Sequence, residues 1–185
     1  DPIDGTWSYL NREHTACLSL GLFENGEPRV SVIYNPFTQE LYHSTGNGEA
    51  LVNGRKMPQK QIGKLEDSLL NFHISCNNSQ LIKQLYDVWA EERFAKLISM
   101  GGSIAYAFAK VAEGVHHICI SKGKKASNIW DLGSGIHLIK SVGGIVTNLA
   151  GESLYEYPKG QTVIASLNPQ IHQQAIELLQ SLEGN

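Results

Sequence analysis

The segment Asp1-Pro2-Ile3-Asp4-Gly5-Thr6 sets two carboxylates three residues apart, with a proline between them and a glycine after. Pro2 fixes one backbone angle and Gly5 permits a sharp turn, so one short loop can present both acids. Carboxylates held this close repel unless positive charge lies between them, and Mg2+ is the usual cation for hard oxygen donors of this kind. An Asp-Gly turn with an aspartate cap explains the same letters without a metal. A further acid, Asp131, stands in Asn128-Ile129-Trp130-Asp131-Leu132-Gly133-Ser134-Gly135, where a helix is expected to begin at Asp131. There too a carboxylate serves simply as a helix cap. Gly133 and Gly135 weaken the first turns of that helix, which points to another element packing closely against them.

The elements that must carry these acids read as two styles in succession. From Ala16 to Val52 short β-rich runs alternate with turns, and Asn25-Gly26 and Asn53-Gly54 are hairpin signals because both central residues of a type I′ turn need positive φ. An antiparallel meander is predicted there. After Pro58 strands and helices alternate: a strand in LLNFHIS, a helix capped by Asn78 or Ser79, a strand in FAKLISM, and a helix opened by Ser103 and closed by Gly114. A buried strand in VHHICI, the helix from Asp131 to Gly143-Gly144, strands in IVTNL and QTVIAS, and a last helix from Asn168 to about Leu182 complete the order. The boundary between the two lobes is expected in the polar stretch from Lys56 to Asp67, giving residues 1–66 and 67–185.

Hydrophobic residues make up 42% of the 185 residues, charged residues 18%, and the formal charge is only −3. That balance argues against a nucleic-acid polymer held on a strongly basic face and leaves a small polar or anionic ligand open. Apolar runs such as Ile104 to Ala112 fall well short of the roughly 20 residues needed to span a bilayer. Cys17, Cys76 and Cys119 are odd in number and far apart, which fits a reducing, cytoplasmic setting better than a disulfide framework. The chain does not begin with methionine, so a longer native polypeptide is the expectation.

DPIDGT, a distant WDxxxG and a GGS helix start between them together resemble the inositol monophosphatase superfamily of metal-dependent, lithium-sensitive phosphatases. SVIYNP, GNGEA, VAEG and SVGGIVTNLAGESL fall in the order that family shows, so the likeness runs over nearly the whole chain. The resemblance implies an α/β fold, a layered α+β sandwich of the inositol monophosphatase/fructose-1,6-bisphosphatase kind with an antiparallel sheet followed by a smaller mixed sheet. It implies that Asp1, Asp4 and Asp131 bind Mg2+ by their carboxylates and Ile3 by its carbonyl, with Asp1 bridging two metals. Gly5 and Thr6 would offer amides to the phosphate, and the Thr6 hydroxyl would orient the attacking water. Gly102 and Ser103 would touch the substrate, although Ser103 as an ordinary N-cap explains the same letters. The implied chemistry is in-line displacement by metal-activated water on a small phosphate ester, without a covalent phosphoenzyme.

Departures from the family pattern bear on substrate and completeness. Family members carry a metal-binding glutamate and two long helices upstream of DPIDGT, so the 185 residues by themselves also fit a catalytically incomplete binding or dimerisation piece. Where inositol monophosphatases place an acidic residue before WD, this chain has SKGKKASNIWD. Lys122, Lys124 and Lys125 there suit a second phosphate, as in the 3′(2′),5′-bisphosphate nucleotidase or sugar-phosphate branches, or simply form a solvated loop; Lys124 is the candidate substrate contact. Inositol monophosphate is the first expectation, and a homodimer is expected by analogy. Arg12 is structural or near the substrate. The seven histidines form no metal motif, with His116 and His117 expected in a strand, and Trp7 and Tyr9 are expected to serve packing.

Overall fold

The computed structural model describes residues 1–45, 48–57, 63–74, 78–123, 128–154 and 162–183. A short helix, α1 (Thr6–Leu10), precedes five strands, β1 (Leu18–Glu24), β2 (Glu27–Asn35), β3 (Glu40–Ser44), β4 (Ala50–Val52) and β5 (Arg55–Lys56). These form one antiparallel sheet in sequential order, the meander expected from the turns with β5 added. Asn25 and Gly26 have φ of 54° and 82°, and Asn53 and Gly54 of 47° and 73°, so both hairpins turn through the left-handed pair that Asn-Gly tolerates.

The second sheet contains β6 (Leu69–Ile74), β7 (Lys96–Ile98), β8 (Ile118–Lys122), β9 (Ile145–Asn148) and β10 (Val163–Ser166), in the order β7-β6-β8-β10-β9. β6 runs parallel to β7 and β8, and β10 antiparallel to β8 and β9. Helices α2 (Ser79–Ala90) and α5 (Pro169–Glu183) cover one face, α3 (Ile104–Ala112) and α4 (Ile129–Ser141) the other. Alternation along the strands makes the division: Ile118, Ile120 and Ile164 join α2 and α5 in one core, and Cys119, Val163 and Ala165 join α3 and α4 in the other.

That second core also takes Ile33, Tyr42 and Ala50 from the first sheet, so α3 and α4 lie between the sheets. The layers run sheet, helix pair, sheet, helix pair. On the outer face of the first sheet, Leu18 pairs with Tyr34, Leu20 with Val32 and Leu22 with Val30, and Leu20 and Leu22 are 62% and 60% exposed. Among the described residues no helix is long and apolar enough to cross a membrane.

Three expectations need correction. Helix α4 begins at Ile129 with Asn128 at its N-cap position, so Asp131 lies inside the first turn; its carboxylate reaches back to the Asn128 amide, half of a capping box. His116 and His117 precede β8 rather than lying in it, and their ring nitrogens bond to Asn71 and to the Leu69 amide. Asn78 occupies the cap position of α2 but sends its side-chain amide to the Lys122 carbonyl, 3.3 Å away. Cys76 and residues 58–62 of the expected lobe boundary lie outside the described residues.

Candidate metal centre

The opening tetrapeptide is held as a short antiparallel extension of the first sheet. The Asp4 amide donates to the Cys17 carbonyl at 2.9 Å and the Cys17 amide returns to Asp4 at 3.0 Å. Two residues along, the Ser19 amide donates to the Asp1 carbonyl at 2.8 Å, and the Asp1 nitrogen donates to the Ser19 carbonyl at 2.7 Å. The acids thus stand on fixed backbone. Gly5, with φ of 82°, then turns the chain into α1, and a Cβ there would lie 2.7 Å from the Ser103 nitrogen. Only glycine allows this loop to approach the start of α3 so closely.

Ser19 ties the same backbone to α4. Its hydroxyl donates to the Trp130 carbonyl at 2.9 Å and lies 2.6 Å from Ser134 Oγ, which sets Asp131 beside the first loop. Gly133 and Gly135 meet close neighbours, as their cost to the helix implied: a Cβ would fall 2.4 Å from Phe23 Cζ and 2.6 Å from Phe108 Cβ respectively. The result is that Asp1, Asp4 and Asp131 converge, with one ligand atom from each within 4.8 Å of the others. It is the one such grouping of His, Cys, Asp or Glu among the described residues.

Each carboxylate is also oriented. The Ile3 amide donates to Asp1 Oδ1 at 2.8 Å, and the Asn128 amide to Asp131 Oδ2 at 2.8 Å. Asp4 Oδ2 accepts from the Ser103 hydroxyl at 2.5 Å and the Ala105 amide at 3.0 Å. Ser103 is therefore both the N-cap of α3, accepting from the Tyr106 amide, and a donor to Asp4. Its single proton being given to Asp4, the 3.0 Å contact with Cys17 Sγ has the thiol as donor. Burial pushes the Cys17 thiol up to about 12, so it stays protonated.

Burial raises the Asp4 pKa; its bonds to Ser103 and Ala105 oppose the rise, and the charge of Asp131 adds to it. Among the described residues no lysine or arginine makes an ion pair with any of the three acids. Three oxygen-donor carboxylates brought together with no lysine or arginine paired to them among the described residues fit a hard divalent cation. The Ile3 carbonyl accepts from the Thr6 hydroxyl at 3.4 Å, so both groups stand at the same loop.

Other expected residues fare variously. Gly102, with φ of 63°, packs so tightly on Thr15 that a Cβ would lie 2.4 Å from its hydroxyl, and Ser103 N donates to the Thr15 carbonyl. Lys124 and Lys125 lie outside the described residues, and Lys122 is paired with Glu183 at 2.5 Å. Arg12 is exposed at a left-handed turn. Trp7 does not pack: it is 80% exposed because α1 turns it outward, while Tyr9 is tilted against Phe37. Sequence reasoning missed Ser19, Ser134 and Thr15, whose partners are distant in the chain.

Residues 1–183 match the model of the inositol monophosphatase family. A probable inositol 1-monophosphatase from Mycobacterium tuberculosis is 30% identical over 98% of this chain and 67% of its own length. A protein from Xylella fastidiosa named as a Nus factor is 34% identical over 82% of this chain and 54% of its own. The solved structure of an inositol monophosphatase from Anabaena superposes with a TM-score of 0.84 at 27% identity, covering 98% of this chain and 70% of that one. The chain thus spans about two thirds of the length of most of these relatives.

Proposed function

Because the chain belongs to the inositol monophosphatase family, we propose that it is, or is the larger part of, a Mg2+-dependent phosphomonoesterase acting on a small phosphate ester, inositol monophosphate first. The observation that carries this reading is the convergence of Asp1, Asp4 and Asp131 within 4.8 Å. In it, those carboxylates and the Ile3 carbonyl hold the cation. Bound there, Mg2+ supplies Lewis acidity toward the anionic ester and acidifies water for in-line attack.

The chain's own groups do the rest. The Gly5 and Thr6 amides, at a helix start where intrahelical acceptors are lacking, face the phosphate, and the Thr6 hydroxyl orients the water. Ser103, by donating to Asp4, favours the ionised carboxylate that a cation needs. Gly102 borders the substrate, Ser103, fully buried, acts on the site through Asp4, and Lys124 is the further contact from the second lobe. Commitment of Lys122 to Glu183 weighs against a lysine clamp for a second phosphate, which would favour a nucleotide bisphosphate or sugar phosphate. The buried thiols of Cys17 and Cys119 suit a cytoplasmic setting, and a homodimer is the proposed assembly.

Phosphate release from inositol 1-phosphate and from 3′-phosphoadenosine 5′-phosphate tests the reading, with and without Mg2+ and Li+, on this chain and on the full native reading frame. Release that requires Mg2+, is inhibited by Li+ and is faster for inositol 1-phosphate is expected. Release indifferent to Mg2+, or none from either polypeptide, would reject it.

A further inference from the structure

Strand β6 sends alternate side chains to opposite faces: Leu70 and Phe72 enter the core with α2 and α5, leaving Asn71 and His73 on the other side. Both grip the loop that leads into α3. The Met100 amide donates to Asn71 Oδ1 at 3.1 Å, and His73 Nε2 lies 2.9 Å from the Gly102 carbonyl oxygen. A carbonyl only accepts, so His73 Nε2 carries the proton and donates.

Between these grips stand Gly101 and Gly102, with φ of 62° and 63°. Two successive glycines in the left-handed region have many alternative conformations and hold one only if the surroundings impose it. On the far side the Ser103 amide donates to the Thr15 carbonyl at 2.9 Å. The loop is therefore stretched between the second sheet, through Asn71 and His73, and the first lobe, through Thr15. Asn71 is 1% exposed and also contacts His116, so its removal would disturb the core. His73 is half-buried, and its described hydrogen bond is to the loop.

We propose that His73 is a positioning residue for substrate binding. By holding the Gly102 carbonyl it fixes the Gly101 and Gly102 peptides in the orientation that meets the substrate, without itself touching the reacting atoms. This rests on the functional reading above, in which Gly102 borders the substrate. Ser103 keeps its own bonds to Asp4 and Thr15, so loss of the grip falls mainly on the Gly101 and Gly102 peptides and raises KM more than it alters kcat or metal affinity.

The test compares wild type, His73→Leu and His73→Gln; glutamine places a side-chain N–H close to where histidine places Nε2. Amide hydrogen exchange at Met100 and Ser103 is read first, because it needs no turnover. Loss of one net hydrogen bond, about 1.4 kcal/mol, speeds their exchange about tenfold in His73→Leu. KM for inositol 1-phosphate is expected to rise about tenfold with kcat within about twofold, and Mg2+ affinity by calorimetry to change less than KM. His73→Gln restores both. Unchanged loop exchange in His73→Leu, an unchanged KM despite faster exchange, or an equal loss in His73→Gln overturns the proposal. If wild type turns over no phosphate ester, the functional reading falls, and loop exchange alone decides the grip.

Discussion

Replacing Gly135 by alanine sets two effects of opposite sign against each other. Alanine is the better helix former by about 0.8–1.0 kcal/mol, so helix propensity alone makes Gly135→Ala stabilising. The new methyl would stand 2.6 Å from Phe108 Cβ, about 0.8 Å inside ordinary contact. That atom sits next to the backbone of α3, and Phe108 is fully buried, so the strain cannot be relieved by swinging a side chain. Overpacking of this kind costs about 1–3 kcal/mol, leaving a net loss of about 0–2 kcal/mol. Gly133→Ala, in the same helix, meets Phe23 Cζ, the far end of a half-buried ring that can move, and should be near neutral. Thermal unfolding of both variants decides: Gly135→Ala should melt lower by about 2–4 °C per kcal/mol and Gly133→Ala close to wild type. A higher melting temperature for Gly135→Ala would refute the claim that the α3–α4 crossing is fixed by a glycine contact.

Removing the Ser19 hydroxyl, which links the first loop to α4, should weaken Mg2+ binding about tenfold in Ser19→Ala with a stability change of at most about 1.5 kcal/mol, measured by calorimetry and urea unfolding. Burial holds His116 and His172 neutral, each with a pKa lowered to about 4 from 6.5. Between those values the unfolded chain binds more protons, so their contribution is complete above about pH 6.5 and lost as pH falls through about 4. The urea midpoint should drop from pH 7.5 to 5 by an equivalent of about 1–2 kcal/mol per histidine, and His172→Gln should flatten that slope. The outer face of the first sheet should bind a naphthalene-sulfonate dye in the folded 185-residue polypeptide, and Leu20→Lys with Leu22→Glu should abolish the signal while changing stability by less than about 0.5 kcal/mol.

The parts of this molecule legible in its sequence are those set by neighbours in the chain. Asn25-Gly26 and Asn53-Gly54 could be read as hairpins because the turn's backbone angles demand those residues. Gly133 and Gly135 announced a close contact because glycine is a poor choice for a helix, though not that Phe23 and Phe108 would be the neighbours. The start of α4 was misplaced because Asp131 caps from within the first turn, and an aspartate there reads the same as one at the N-cap. Ser19, by contrast, gave no signal: its partners lie 111 and 115 residues away, and a serine in a strand has no pattern of its own. Trp7 was misjudged because aromatic residues usually pack, whereas five-residue α1 leaves it outward. His73 looked inert because no metal spacing involves it; its partner is a backbone carbonyl, which leaves no trace in side-chain spacing.

The measurement that bears most directly on the metal centre is a calorimetric Mg2+ titration of wild type and Asp131→Asn, with melting of both in metal chelator. Three converging carboxylates mean that the variant loses at least about tenfold in affinity. Without metal it is as stable as wild type or more so, because one repelling charge is gone and asparagine can still accept from the Asn128 amide. Equal Mg2+ affinity in the two proteins would contradict the assignment of Asp1, Asp4 and Asp131 as one cation site.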